Sequence, residues 1–404
     1  MNVAALQKMD RWAGVPLCFC LTLFRKVFTA SLPPGPVSVR SILFVKLAEQ
    51  GSTVLAIDAL VRAVEMVGRE NVYFIAFAEN RFILDLLELI PEENVITLSS
   101  KSVSELVSSS WEAMGRMRKL KLDAAIDMEF FARGSAALTF LSGARARVGF
   151  HSFFSDGPYR GDLMTHRLLY NPHLHTSAMF QVLVESLACD PARLPTLDFL
   201  PPSSGKAAFS FAARPDEIAP VRAWLPAGQP LLLLNPNASD LLPLRQWPNV
   251  RYVDLARRLL AEFPEVCIGF TGAPGEAQEI ERLAREVNSP SCFSLAGKTT
   301  LRQLMVLYTL AEILVTNDSG PAHFASLTPV HVITLFGPET PALFAARTSR
   351  NVAIWRGIAC SPCVSAYNNR QSPCRDNVCM QQITVEQVFA EASLAYKARR
   401  DRIL

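Results

Sequence analysis

The chain has 404 residues, enough for two or three domains at ~150 residues each. Half of the residues are hydrophobic and 19% are charged, a globular balance that excludes disorder, collagen-like repeats and a disulfide-dense miniature scaffold. The formal net charge of +3 is too small to call for a nucleic-acid partner, whereas a mean hydropathy of +0.19 makes a membrane check necessary.

The first apolar stretch, Trp12 to Phe24 ("WAGVPLCFCLTLF"), falls short of the ~20 residues that a membrane-spanning helix needs. A Gly and a Pro interrupt it, and Arg11, Arg25 and Lys26 flank it. No small-residue cleavage motif follows, which argues against a signal peptide. Residues 1–37 are therefore read as an N-terminal segment whose helix lies on an anionic membrane surface, apolar face inward and basic residues at the headgroups. The alternative is a helix packed on the protein itself. Nine cysteines, an odd number, without an export signal point to the reducing cytoplasm, where disulfides are not expected.

Beyond the Pro-rich turn "SLPPGPVSVR", short apolar runs alternate with helical patterns. Strands are expected at 41–47, 72–77, 94–98 and 123–128, with helices at 53–67, 79–90 and 102–119 between them. "FLPPSSGK" (199–206) is a turn-rich break, read as the interdomain linker. The pattern then restarts with strands at 230–236, 266–272, 312–318 and 331–338. Helices at 249–262, 275–287, 300–310 and from about Ser319 separate these strands. Continuous apolar strands alternating with amphipathic helices indicate parallel sheets covered on both faces. The boundaries drawn are 38–200 for the first α/β domain, 206–390 for the second and 384–404 for a C-terminal helix. Two doubly wound domains facing a cleft place function in the turns after their strands.

The second domain has the richest turns. After 230–236, a polar loop carries Asn237, Ser239 and Arg245. Arg245 offers a forked, permanently charged donor to a phosphate, or else is a solvated surface arginine. "VTNDSGPAH" follows an apolar strand with helix-capping residue types and a proline suited to a first helical turn. Backbone N–H groups of Ser319 and Gly320 at that helix start suit a diphosphate. Asp318 would then point at polar hydroxyls rather than at the phosphates, and His323 falls on the same first turn. The alternative is that Asp318 or Ser319 only caps the helix. "FTGAPGE" (with Gly272) and "LAGKTT" (with Gly297 and Lys298) are further glycine turns after strands. Neither GxGxxG nor GxxxxGK[ST] occurs, so a dehydrogenase or P-loop enzyme lacks support.

The succession "NPNAS…LRQWP", "FTGAPGE", "LAGKTTLRQL", "VTNDSGPAHFASL" and "LFGPETP" within residues 235–341 resembles the family 9 glycosyltransferases, the bacterial heptosyltransferase group. "SILFVKLAEQGSTVLAIDAL" and "GARARVGF" resemble its first strand-turn and mid-domain signatures. The resemblance implies a GT-B architecture, two Rossmann-like domains, with donor on the C-terminal side and acceptor on the N-terminal side. It implies inverting transfer of a sugar, typically from ADP-heptose, to a lipopolysaccharide core, without a metal or other cofactor. The partners implied are a nucleotide-sugar donor, a lipid-linked saccharide acceptor and the cytoplasmic face of the inner membrane. Arg245 then stands where the family commonly has a lysine. The Gly297–Lys298 and Asn317–His323 turns would bracket the diphosphate and the donor sugar.

One departure bears on chemistry. The family's first turn usually reads like "SSLGDV", its aspartate being assigned as the base for the acceptor hydroxyl. Here "AEQGSTV" puts Ser52 at that position, and serine needs a partner to accept a proton. Glu49, in the same turn, is the nearest carboxylate and is taken as the base, with Ser52 expected to cap the helix that follows. Asp58, Asp127 and Glu129 are the next carboxylates to consider. Without such a base the chain would be a catalytically altered nucleotide-sugar-binding protein, and a transferase for another sugar and glycan is a further alternative. Arg133, Arg145, Arg147, Arg160, His166 and Arg167 form either an anion-binding acceptor face or a solvated surface. Cys360, Cys363, Cys374 and Cys379 are either a structural zinc site, which would make 360–379 an interaction module, or simple thiols.

Overall fold

In the computed structural model, which describes residues 3–28, 38–154, 157–200, 209–238 and 242–400, the chain divides into two compact units. The first comprises Met1–Ser204 and Ser365–Gln371; the second comprises Gly205–Val364 and Ser372–Leu404. The Pro-rich turn at 29–37, most of the expected linker and Ser239 lie outside the described residues.

Each unit is built on one six-stranded sheet, parallel throughout. The first contains β1 (Ile42–Val45), β2 (Val72–Phe77), β3 (Val95–Leu98), β4 (Ala124–Asp127), β5 (Ala146–Phe150) and β6 (His166–Leu168). The second contains β7 (Leu231–Asn235), β8 (Cys267–Phe270), β9 (Cys292–Ser294), β10 (Ala311–Asn317), β11 (His331–Phe336) and β12 (Asn351–Trp355). The spatial orders are β3-β2-β1-β4-β5-β6 and β12-β11-β10-β7-β8-β9. Counted within its own unit, each runs 3-2-1-4-5-6, the doubly wound Rossmann order, whose switch point lies between the first and fourth strands. The central strands β1, β4 and β7 are buried along their whole length, as strands covered by helices on both faces must be.

The eight expected strands coincide with β1–β4, β7, β8, β10 and β11. Of the other four, only β12 has a continuous apolar run. β5 and β6 carry arginine and histidine, β9 is three residues long, and β12 is a half-exposed edge. The helix expected at 53–67 is two, Gln50–Val54 and Ile57–Val67, and the one at 79–90 shortens to Phe82–Leu87 after a tight turn. The C-terminal helix Val385–Arg400 is part of the second core. Its Tyr396 ring meets Phe263 edge-on at 4.8 Å, and both belong to the cluster around Trp247 and Tyr252.

The N-terminal segment forms two helices, α1 (Val3–Trp12) and α2 (Gly14–Phe28), and they dock on the first unit. The Asp10 carboxylate accepts the N–H groups of Arg133 and Gly134, both at 2.8 Å, so α1 supplies the anion that the start of helix Arg133–Leu141 favours. Gly14 lets α2 approach closely, since a Cβ there would stand 2.7 Å from that of Arg133. Gly161, at φ +74°, faces the Cys18 carbonyl, which a Cβ would meet at 2.8 Å. The opposite face exposes Trp12, Phe19, Leu23, Phe24, Val27 and Phe28. Among the described residues no helix is long and apolar enough to cross a membrane.

The basic set of the first unit is mostly interior scaffolding, neither an open acceptor face nor a solvated one. Arg133 is buried and pairs with Asp10, and Arg160 is buried and pairs with Asp127. Arg147 donates to the carbonyls of Leu163 and Ala144, both at 2.8 Å, and burial pulls its guanidinium down to about 10. Arg167 lies 3.4 Å from Asp162, and Arg145 alone is exposed. His166 is fully buried, with Nδ1 2.9 Å from the Thr165 hydroxyl. Burial first, then the nearby Arg147, pulls its pKa down to about 4.

That depression makes stability depend on pH. With the folded value below the unfolded one of about 6.5, neutral His166 stabilises the fold above pH 6.5, and this contribution is lost as pH falls through about 4. At ~1.4 kcal/mol per pH unit, the loss is on the order of 3 kcal/mol. Urea denaturation between pH 7 and 4 should show it, and His166→Gln should flatten the slope. An unchanged slope would mean that other groups drive the acid response.

Candidate functional site

In a doubly wound sheet, ligands bind beyond the carboxyl ends of the strands near the switch point. In the first unit this is the region after β1 and β4. Lys46, just past β1, is 2% exposed. Its ammonium donates to the Ala48 carbonyl at 3.2 Å and stands 3.7 Å from Glu129. Glu129 Oε1 accepts the N–H groups of Leu47 and Ala48 at 2.8 and 3.0 Å. Asp127, the last residue of β4, is fully buried. It accepts bonds from Arg160, from the Ser135 hydroxyl and from the Glu129 N–H. Burial outweighs the opposing Arg160 and pushes its carboxyl up to about 6. Asp127 and Glu129 are thus committed to holding the turn.

Glu49 follows in a left-handed conformation (φ 66°, ψ 80°) immediately before helix Gln50–Val54. Its Oε1 accepts from Arg370 Nη1 at 2.5 Å, and its Oε2 lies 3.3 Å from the Ser52 hydroxyl. Ser52 does not cap the helix. The helix begins at Gln50, so Ser52 falls inside its first turn, where its buried hydroxyl donates to the Glu49 carbonyl at 2.9 Å. Asp58, on the first turn of Ile57–Val67, is half-buried, and burial pushes its carboxyl up.

In the second unit, Asn317 ends β10 and is fully buried. Its Nδ2 donates to the carbonyls of Pro236 and Asn237 at 2.9 and 3.2 Å. Its Oδ1 accepts from Trp247 N–H and the Tyr252 hydroxyl, both at 3.1 Å. All four hydrogen-bonding positions of the amide are used, so Asn317 fixes the turns after β7 and β10. Arg245 is not a solvated surface arginine. It is 7% exposed, with Nη2 2.8 Å from Glu339, Nε 3.6 Å from the Asp318 carboxylate and Nη1 donating to the Asp318 carbonyl at 3.2 Å. The fork that suits a phosphate is engaged by two buried carboxylates. Glu339, in the turn after β11, lies within a motif that the sequence singles out without marking this residue.

The glycine turns adjoin this cluster. Gly297 (φ +70°) donates its N–H to the Gly272 carbonyl at 3.0 Å, and a Cβ on Gly272 would stand 2.9 Å from Asn237 Nδ2. Asn237, Gly272 and Gly297 therefore sit side by side beyond β7, β8 and β9. Lys298 is exposed, and its ammonium donates to the Ser294 carbonyl at 2.7 Å. Ser319 precedes the short helix Gly320–Ala325, but its hydroxyl donates to the Asn317 carbonyl at 3.2 Å, and no side chain caps that helix. His323 is buried in it. Cys360, Cys363, Cys374 and Cys379 are free thiols; Cys363 is 3.3 Å from the Ser372 hydroxyl. Among the described residues no group of three or more His, Cys, Asp or Glu is arranged to hold a metal ion.

Residues 111–372 match the family described as glycosyltransferase family 9 (heptosyltransferase). Lipopolysaccharide heptosyltransferase 2 of Salmonella typhimurium is 32% identical over 118 residues, 29% of this chain and 34% of that protein. Lipooligosaccharide heptosyltransferase 2 of Haemophilus influenzae is 33% identical over 115 residues, 28% and 33% of the two chains. The chain thus spans about a third of the length of these curated relatives. Among solved structures, the ADP-heptose lipopolysaccharide heptosyltransferase II of E. coli superposes with a TM-score of 0.65 at 17% identity, covering 89% of this chain and 99% of that one. A family 9 glycosyltransferase from Veillonella parvula gives 0.68 at 16% identity, covering 90% and 99%. At such identities the likeness carries the fold, GT-B with two Rossmann-like domains.

The Arg245 cluster makes a stability prediction. Arg245→Ala would leave Asp318 and Glu339 buried without their cation, which should cost about 3–5 kcal/mol near neutral pH. Chemical denaturation of the variant at pH 7 checks this. An unchanged midpoint at pH 7 would show that the cluster does not hold these turns.

Proposed function

The chain belongs to glycosyltransferase family 9, and from that premise we propose that it transfers a heptose from ADP-heptose to the core of a lipopolysaccharide or related envelope glycan. One observation carries the reading. The five donor-side motifs leave the carboxyl ends of five successive strands, β7 to β11, where a doubly wound sheet binds a nucleotide. In this proposal the diphosphate lies against the main chain of the Gly297–Lys298 and Ser319–Gly320 turns, with Gly272 and Asn237 beside it. Arg245 acts by holding Asp318 and Glu339 toward the sugar hydroxyls.

Transfer with inversion forms a bond from an acceptor oxygen to the anomeric carbon while the bond from that carbon to the diphosphate breaks. The hydroxyl proton needs an acceptor close by. Of the carboxylates after β1 and β4, Asp127 is fully buried and Glu129 is tied to two main-chain N–H groups, whereas 29% of the Glu49 side chain is exposed; Glu49 is taken as the base, with Asp58 next in line. Glu49→Gln should depress turnover by about 10²–10⁴-fold with donor affinity near its original value, and Ser52→Ala should do much less. Nucleotide release from ADP-heptose with acceptor, alongside donor titration calorimetry, measures both. Normal turnover of Glu49→Gln would assign the base to a different residue, whereas donor binding without turnover in the unaltered protein would favour the catalytically altered, nucleotide-sugar-binding reading that Ser52 suggests.

The same proposal places the protein on the cytoplasmic face of the inner membrane, where a lipid-linked acceptor is found. The exposed face of α2, with Phe19, Leu23, Phe24, Val27 and Phe28 beside Lys26, suits the acyl boundary of an anionic leaflet. At low salt the protein should sediment with vesicles containing phosphatidylglycerol, and Phe19→Ser/Phe24→Ser/Phe28→Ser should abolish this without lowering the melting temperature. Equal recovery of both proteins in the supernatant would end the membrane reading.

A further inference from the structure

Residues Ser365–Gln371 lie between two stretches of the second unit yet pack in the first. The Tyr367 hydroxyl donates to the Tyr170 carbonyl at 2.8 Å, and its ring sits 5.3 Å from Tyr170 and 5.6 Å from Phe131. A tight turn follows, closed by Arg370 N–H on the Ser365 carbonyl at 2.9 Å and by Ser365 N–H on the Asn368 side chain at 2.9 Å. The turn delivers Arg370 to Glu49 at 2.5 Å. Cys363 and Ser372, 3.3 Å apart, bracket this strap, so the cysteine-bearing segment has a structural task beyond its thiols.

The backbone at this contact is unusual. Among the described residues, six non-glycine positions have positive φ. Glu88, Lys121 and Asn288 end helices, where a left-handed residue is ordinary. The other three are Glu49, Asn369 and Arg370, and all lie at one ion pair. A partly exposed ion pair contributes little to stability and does not offset the left-handed Glu49 and Arg370, Asn369 being of a residue type that adopts this conformation readily. Strain of this kind persists where it serves a site.

We propose that Arg370 is a positioning residue for transfer: it holds Glu49 ionised and oriented, with the Ser52 hydroxyl on the other carboxylate oxygen, so that Glu49 can take the acceptor proton. The proposal rests on the reading of Glu49 as the base. Arg370 acts through Glu49 and does not touch the reacting atoms.

The test compares Arg370→Ala, Arg370→Lys, Glu49→Gln and the Arg370→Ala/Glu49→Gln double variant in the full chain, with ADP-heptose and acceptor. Arg370→Ala should lower kcat by about 10²-fold, the cost of a misplaced group, with the KM for donor unchanged. The acid limb of its kcat profile should move to higher pH, because a carboxylate deprived of its cation takes up a proton more readily. Arg370→Lys should recover part of the rate, and added guanidinium should rescue Arg370→Ala, which also separates the effect from misfolding. The double variant should be no slower than Glu49→Gln. A wild-type rate and acid limb in Arg370→Ala, with Glu49→Gln slow, would overturn the proposal alone, as would a double variant slowed by both factors. A fully active Glu49→Gln would remove the base reading, and the proposal with it.

Discussion

Each sheet depends on one side chain that reaches across its switch point. There the chain leaves the first and fourth strands toward opposite faces, and main-chain groups that would continue the ladder lose their partners. In the first unit Glu129, just past β4, accepts the N–H groups of Leu47 and Ala48, just past β1. In the second, Asn317 at the end of β10 donates to the carbonyls of Pro236 and Asn237, just past β7. One closure takes up N–H groups and needs a carboxylate; the other takes up carbonyls and needs an amide. Both fix the turns from which the candidate chemistry projects.

The closures bring charge into the interior, and the charge is paired locally. Lys46 stands beside Glu129, Arg160 beside Asp127, and Arg245 between Asp318 and Glu339. Buried ions of this kind add little net stability, but removing one partner strands the other at high cost. Such clusters therefore specify turn geometry more than they strengthen the fold. The same logic explains why the arginines of the first unit do not form an open anion-binding face. Arg133 and Arg160 are occupied by Asp10 and Asp127, and Arg147 by carbonyls.

The fold was legible because its signal is local. β1 and β7 are continuous apolar runs, and the motif turns begin where those runs stop. β6 and β9 were not legible, since three residues with polar members carry no period to read. In the site, the turns around Gly272, Gly297 and Asp318 could be located from glycine and capping residue types alone. What those types do not convey is pairing at long range. Arg245 reads as a free fork until Glu339, distant in sequence, is seen against it. Arg370 lies 321 residues from Glu49, and no spacing rule connects them. Ser52 was misjudged for a local reason. The helix starts at Gln50, so the hydroxyl points back to a carbonyl and does not accept an N–H.

That inward hydroxyl gives a physical reason for the departure at Ser52. The side chain is buried, and its oxygen lies 3.3 Å from a Glu49 carboxylate oxygen. An aspartate in its place would set a second carboxylate against the first, and two carboxylates that close cannot both stay ionised near neutral pH. A turn of this geometry accommodates an acid at one of the two positions but not at both. With Glu49 present, a neutral donor at position 52 is the compatible partner, and it approaches Oε2 while Arg370 bonds Oε1. Glu49 lies before the helix and not within it, and the strap carrying Arg370 supports its carboxylate from elsewhere in the chain. Glu49, Ser52 and Arg370 therefore act as one unit, in which the identity of each restricts the other two.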